Sequence, residues 1–331
     1  MPLKIAKMAF SLDLRDNRRF RSDAPVVMGI VNITPDSFFA GSRNLASADP
    51  MAAFTDEAAE ALRERVMQMV QQGAGMIDVG ACSTRPGAAD VSAADELHRL
   101  EWALPIVKDA IVRALAQADR AGERIVPVSV DTFRAGLAQA CVERLGADIV
   151  NDVSGGTADP DMLPMVVAAD VPYILMHLYP TELKLEYPDG VYAGVSTFFR
   201  EQLARLSALG WNGGQLASKV ALDPGFGFAK NLDENYELFG QLSCFKADYP
   251  QYPLLVGISR KSMIYKFLST DAEHALNGTT VLNTLALQAG TDILRVHDVR
   301  EAVEAVRIVG KVLPSAFAAH QVTDAFQVEA E

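Results

Sequence analysis

VVMGIVNITPDSFFAGSRN, residues 26–44, opens as an uninterrupted apolar run and passes at Asn32 into a polar loop. Both a doubly wound open sheet and a closed (β/α)8 barrel begin with such a strand. The open sheet's usual fingerprint, a Gly-x-Gly-x-x-Gly turn directly after the strand, is absent here. The loop is also long for a βα connection, where two to six residues is usual.

Working outward, seven more short runs rich in Val, Ile, Leu and Met follow, at 76–81, 125–131, 148–153, 173–178, 219–224, 254–259 and 293–297. Amphipathic segments near 54–73, 95–120, 134–145, 161–169, 195–210, 232–246, 272–289 and 299–312 separate and follow them. Such alternation marks βα units and a parallel sheet. The apolar runs carry few polar alternations, as expected when barrel filling covers one face and helices the other. Eight units of about 36 residues each suit an α/β TIM (β/α)8 barrel. The barrel is expected over 25–313, with 314–331 as a C-terminal tail. Residues 1–24 form an N-terminal extension in which KMAFSLDL reads as a small hairpin covering the barrel floor.

The bulk composition agrees with a globular enzyme or binding protein. Half of the 331 residues are hydrophobic, and 42 acidic against 30 basic residues give a net charge of −12. A broad phosphate-backbone footprint is not expected of such a chain, so nucleic acid is excluded as a partner. Cys82, Cys141 and Cys244 are odd in number and form no Cys-x-x-Cys pair, which points away from a disulfide framework and towards a reducing, cytoplasmic setting. No apolar run approaches the ~20 residues of a membrane span.

In a barrel the C-terminal strand ends face one mouth, and the polar residues gather there. Asn32 ends the first run, Ser83-Thr84-Arg85-Pro86-Gly87 follows the second, and Asp131 ends the third. Asn151 and Asp152 lie in the fourth, Met176 and His177 near the end of the fifth, and Asp223 at the end of the sixth. Ser259-Arg260-Lys261 follows the seventh, and Arg295 and His297 lie in the eighth. Singly, each has a structural reading: a strand-end Asp caps a helix as readily as it binds a ligand, and a strand-borne His is more often a core residue. Jointly, polar groups near the end of all eight strands mark a site.

The charges divide. Asn32, Arg85, Arg295 and His297 come from neighbouring strands and suit a phosphate or diphosphate with a shared magnesium ion. Asp131, Asn151, Asp223 and Lys261 suit a flat heterocycle with an amino-pyrimidinone edge. Two long loops, after the first and second strands, are candidates for closing over substrate, with Arg85 carried on the second. Gly225 and Gly227 in LDPGFGF let the chain approach a ligand closely, or make a tight turn with packed aromatics.

The chain resembles the dihydropteroate synthase family over residues 25–312, through MGIVNITPDSF, IDVGACSTRPGA, VSVDT, IVNDVSGG, ILMH, LDPGFGF, GISRKSM and LRVHDV in that order. The resemblance implies a TIM barrel that joins dihydropterin-methyl diphosphate to p-aminobenzoate with release of diphosphate. It implies that Asp131, Asn151, Met176, Asp223 and Lys261 hold the pterin. Asn32, Arg295 and His297 would bind diphosphate, with Asn32 near a magnesium cofactor. Phe38, Thr84, Arg85, Pro86, Phe228 and Ser262 would shape the p-aminobenzoate pocket, and Arg85, Asp131, Lys261 and Arg295 would carry catalysis. A homodimer and sulfonamide binding follow from the same likeness. Two departures stand out: Cys82 where the family commonly has Glu, and LYPTELKLEYPDGVYAG after the fifth strand in place of a Met-x-Gly-x-Pro continuation.

Other readings remain open. A pterin-binding paralogue without activity is supported only by the altered fifth loop. A methyltetrahydrofolate-dependent methyltransferase would not need the Arg85 loop or the Ser-Arg-Lys run. A class I aldolase would use Lys261 as a Schiff base.

Overall fold

The computed structural model describes residues 10–33, 54–82, 91–118, 124–178 and 189–313. Its first element is a hairpin, β1 (Phe10–Asp13) and β2 (Arg19–Ser22), paired antiparallel. Asp16 and Asn17 both have positive φ, 59° and 56°, and Arg18 N donates to Arg15 O at 3.2 Å. That is the I′-type geometry which Asp and Asn tolerate and which matches the twist of paired strands.

Eight parallel strands follow: β3 (Val26–Asn32), β4 (Met76–Gly80), β5 (Val128–Asp131), β6 (Ile149–Asp152), β7 (Tyr173–Met176), β8 (Val220–Asp223), β9 (Leu255–Val256) and β10 (Ile293–Val296). The sheet runs β8-β7-β6-β5-β4-β3-β10-β9. A bridge between Leu222 and Leu254, with Leu222 N donating to Pro253 O at 2.8 Å, joins β8 to β9 and closes the ring. Each apolar run of the sequence becomes one barrel strand. The third begins only at Val128 because Pro127 has no N–H for the ladder.

Helices cover the outside. α1 (Asp56–Gln71) starts where the Thr55 hydroxyl accepts from Ala58 N, and it buries Ala58, Leu62, Val66 and Met69 at helical spacing. α2 (Ala93–Gln117) is capped by Ser92 and packs along α1. α3 (Ala135–Glu143), α4 (Met162–Ala169) and α5 (Val191–Ala208) follow β5, β6 and β7. α6 (Gly213–Lys219) lies just before β8, and its Asn212 capping box explains a helix that the periodicity had not revealed. The segment expected as one helix over 232–246 is two, α7 (Leu232–Gly240) and α8 (Leu242–Asp248), with Gln241 between them outside helical geometry. A further short helix, α9 (Ser262–Phe267), follows β9, and α10 (Leu276–Gln288) and α11 (Val299–Val312) complete the layer.

The hairpin plugs the floor as expected, but KMAFSLDL supplies only its first strand, FSLD, among the described residues, and the second comes from RFRS. Leu12, Leu14 and Phe20 join Val26, Met28, Met76, Ile149, Ile174, Ala221, Leu255 and Ile293 in one buried cluster inside the ring. Each of these side chains except that of Ala221 gains about 1.5 to 3 kcal/mol on full burial. Arg15 donates to Val142 O at 3.0 Å, Arg18 to Asp148 at 2.6 Å and Lys219 to Asp13 O at 3.0 Å, which fixes the hairpin to the barrel.

Candidate active site

Strand periodicity builds the site. The floor cluster contains Met76, Ile149, Ile174, Ala221, Leu255 and Ile293, so these side chains point inward. Two residues further along each strand the same face recurs. Those positions are Asp78, Asn151, Met176, Asp223, Gly257 and Arg295, with Asp131 equivalent on β5. A dry apolar floor thus gives way, one layer higher, to a polar ceiling at the C-terminal mouth.

Arg295 ties that ceiling together. Its Nε donates to Asp78 Oδ2 at 2.7 Å and its Nη2 to Asp131 Oδ2 at 2.7 Å, while Asn151 Nδ2 donates to Asp78 Oδ2 at 3.1 Å. The separation by charge expected from sequence is therefore not kept: Arg295 belongs with Asp131 and Asn151 as much as with a diphosphate corner. Burial opposes the Arg295 cation, but the carboxylates of Asp78 and Asp131 together outweigh it and hold its pKa above the ordinary value. Burial pushes the Asp131 carboxyl up to about 7, with Arg295 opposing the rise and Asp78 and Asp152 adding to it.

Asp78 escaped sequence reasoning, although it stands as a lone charge in the apolar strand MIDVG, on the inward parity. Its side chain is completely buried. Asp78→Ala leaves Arg295 and Asn151 without their shared acceptor, so a loss of about 3 to 5 kcal/mol in urea-induced unfolding is expected. A loss below about 1 kcal/mol, the range of a surface pair, would contradict the network.

A second group surrounds Asp223. Its Oδ1 accepts from Gly225 N at 2.8 Å, and burial raises its pKa against the pull of Lys261. Lys261 Nζ donates to Phe226 O at 2.5 Å and sits 4.4 Å from the centroid of the Phe228 ring. Burial lowers Lys261 to about 8, with Asp223 opposing. Gly225 and Gly227 have φ of 74° and 79°. A Cβ on Gly225 would lie 2.1 Å from His177 O, and one on Gly227 3.0 Å from Lys261 Cδ, so close approach and turn geometry both require glycine.

The remaining expected residues sort by position. Asn32 ends β3 at the mouth, opposite Gly80. His297 accepts or donates through Nδ1 with Ser259 Oγ at 3.1 Å, just beyond β10. Ser262 opens α9 directly after Lys261, and Met176 is buried at the end of β7. Phe38, Thr84, Arg85 and Pro86 lie outside the described residues.

Parity sends others away from the mouth. Asp152 faces outward, where its carboxylate accepts from Ser154 N, Ser154 Oγ, Gly156 N and Tyr173 Oη at 2.7 to 2.8 Å and shapes the turn after β6. His177 also lies on the outer face, 5.0 Å edge-on to Phe198, and burial lowers it to about 2, so the imidazole is neutral. Arg260 turns outward to Asp298 in a two-pronged pair at 2.8 and 2.9 Å.

Among known proteins, the pterin binding enzyme family matches residues 28–297. The dihydropteroate synthase of Escherichia coli strain K12 is 37% identical over 314 residues, spanning 94% of this chain and 97% of that one. A Synechocystis dihydropteroate synthase is also 37% identical, over 85% of this chain and 88% of its own. Among solved structures, Xanthomonas albilineans dihydropteroate synthase with 4-aminobenzoic acid superposes with a TM-score of 0.74 at 32% identity, covering 92% of this chain and 98% of that chain. The Yersinia pestis enzyme in a sulfonamide drug complex gives 0.72 at 34% identity, covering 92% of this chain and all of that chain.

Proposed function

We propose a function on the premise that the chain belongs to the dihydropteroate synthase family of pterin-binding enzymes. It is a transferase that condenses dihydropterin-methyl diphosphate with p-aminobenzoate to give dihydropteroate and diphosphate, in folate synthesis. The observation that carries this reading is the convergence of Asp131, Asn151, Asp223, Arg295 and Lys261 at the barrel mouth.

Each group has a chemical part. Asp223 accepts from adjacent ring N–H groups, Asn151 both donates and accepts, Asp131 accepts, and Lys261 donates to ring oxygen or nitrogen. Met176 lies against the ring face. Arg295, with Asn32 and His297, meets the diphosphate. The amine nitrogen of p-aminobenzoate attacks the methylene carbon, the carbon–oxygen bond breaks, and diphosphate leaves with the electron pair. The cationic nitrogen so formed releases one of its two original protons to solvent. Phe228 and Ser262 border the subsite for the incoming amine, and Phe38, Thr84, Arg85 and Pro86 complete it in this reading. Sulfonamides, as p-aminobenzoate analogues, would occupy the same subsite.

Magnesium fits as a companion of the substrate. Among the described residues no group of three His, Cys, Asp or Glu side chains forms a cage for a metal ion. The Asn32 amide offers one neutral oxygen, which suits an ion held mostly by phosphoryl oxygens and water. When bound, magnesium supplies charge neutralisation to the leaving diphosphate.

Asp131 gives the reading a pH signature. Its folded-state pKa, about 7, lies above the ordinary 3.8, so it contributes stability that is fully present below the ordinary value and lost as pH rises through 7. Ionisation is thus unfavourable in the free protein, and a ring that donates to the carboxylate relieves it. Calorimetric titration with a pterin should show affinity rising as pH increases through 7 and falling below it. Affinity independent of pH between 5.5 and 8.5 would contradict this role for Asp131, and no pterin binding at any pH would contradict the function.

The functional unit in this reading is a cytoplasmic homodimer. No helix among the described residues is long and apolar enough to cross a membrane. Phe267, Val281, Leu285, Ile308 and Val312 are exposed on the neighbouring helices α9, α10 and α11, as is Leu268 directly after α9. Exposed apolar side chains on three helices that pack side by side favour a second copy. Leu285→Glu should convert the dimer to monomer in sedimentation velocity, whereas an undisturbed dimer would place the contact elsewhere.

A further inference from the structure

Lys230 has no part in the chemistry above, yet it is among the most constrained cations of the fold. Its Nζ lies 2.9 Å from Gly225 O, 3.2 Å from Phe228 O and 3.0 Å from His177 Nδ1. An ammonium has three donors, and three acceptors surround this one. With His177 neutral, its Nδ1 accepts from the ammonium in the third of these contacts.

Two of those acceptors are carbonyls of the turn that carries Phe226 and Phe228. The turn is held from its other side by Asn235, which is 2% exposed. Asn235 Oδ1 accepts from Gly227 N at 2.6 Å, and its Nδ2 donates to Lys230 O at 3.1 Å and Asn231 O at 2.6 Å. Lys230 and Asn235 therefore close the same loop on itself, one through its carbonyls and the other through an amide.

What that loop holds is Lys261. The Phe226 carbonyl accepts from Lys261 Nζ, the Phe228 ring lies beneath it, and Gly227 passes close to its side chain. Asp223, at the start of the turn, fixes Gly225 N. The geometry points to Lys230 as a positioning residue for this reaction: by locking residues 225–228 it sets the orientation of Lys261 and of the Phe228 wall, and so governs pterin and p-aminobenzoate binding without touching either. Burial lowers Lys230 to about 7, with Asp223 opposing. The identity of the ligands rests on the synthase reading; the loop lock itself does not.

The test compares wild type with Lys230→Met in hydrogen exchange and in binding, on the full chain. In wild type the amides of Gly225, Gly227 and Phe228 each have an acceptor. The methionine variant should exchange the peptide covering 225–228 about tenfold faster or more, with the other barrel strands unchanged. Pterin affinity should fall about tenfold, KM for p-aminobenzoate should rise, and kcat at saturation should hold within about twofold, the split expected of lost ground-state positioning. Because both residues lock one loop, adding Asn235→Ala should cost nothing further. Lys230→Arg, which keeps a cation and its donors, should lie between wild type and the methionine variant. If Lys230→Met does not fold, Asn235→Ala alone carries the same expectations. Unchanged exchange over 225–228, unchanged pterin affinity despite faster exchange, or fully additive losses would overturn the proposal. A wild type that binds no pterin would refute the functional reading and leave the exchange comparison to decide the loop lock.

Discussion

Arg295→Met should abolish measurable turnover, a loss of about a thousandfold or more, and should weaken the pterin ring itself as well as the diphosphate. From sequence, an arginine near the end of the last strand belongs to the diphosphate alone. The geometry gives it a second task, because it bridges Asp78 and Asp131 on the adjacent strands β4 and β5. Its removal leaves the buried Asp78 and the partly buried Asp131 carboxylates without the cation between them. Asp131 is already raised to about 7 with Arg295 opposing the rise, so losing that opposition drives it further up and keeps it protonated at neutral pH. A protonated Asp131 no longer offers a charged acceptor to the ring. Calorimetry with a plain pterin and with the methyl diphosphate should show both affinities falling. Loss confined to the diphosphate ligand would show that the bridge to Asp78 and Asp131 is idle in the complex.

Asp223→Asn should lower pterin affinity by about two to three orders of magnitude while leaving the fold intact. The carboxylate is buried and its Oδ1 already serves Gly225 N, which leaves the second oxygen for the ligand. An amide in its place keeps the volume but directs an NH2 group either at Gly225 N or at the ring's own donors. Either choice sets donor against donor in a site with little water to compensate. The charge that supports Lys261 also disappears, so Lys261 should titrate below its present value of about 8. Retained pterin affinity would remove Asp223 from the ring-binding set.

The architecture was legible because barrel strands buried on both faces leave continuous apolar runs, and each run in this chain became a strand. The two unforeseen helices are both short: α6 depends on a local capping box and α9 spans only Ser262–Phe267, features too brief for periodicity to register. The split at Gln241 is equally local.

The candidate site was legible to a different depth. Residues at strand ends could be assigned to the mouth, since topology alone delivers them there. Which of two adjacent polar residues points inward required parity: Asn151 and Asp152 are neighbours in sequence, yet one faces the pocket and the other organises a turn behind it. Asp78 was hidden for the opposite reason, since it sits two residues before the end of β4 and its role depends on Arg295, more than two hundred positions away. Lys230 was hidden because its partners are main-chain carbonyls, which leave no mark in a sequence.

The most direct test is a single stoichiometric assay. Purified protein is mixed with dihydropterin-methyl diphosphate, magnesium and p-aminobenzoate, and diphosphate and dihydropteroate are both quantified. A dihydropteroate synthase gives the two products in equal amounts. Binding of the pterin diphosphate without either product would contradict that reading, and would leave a pterin-binding barrel without synthase chemistry.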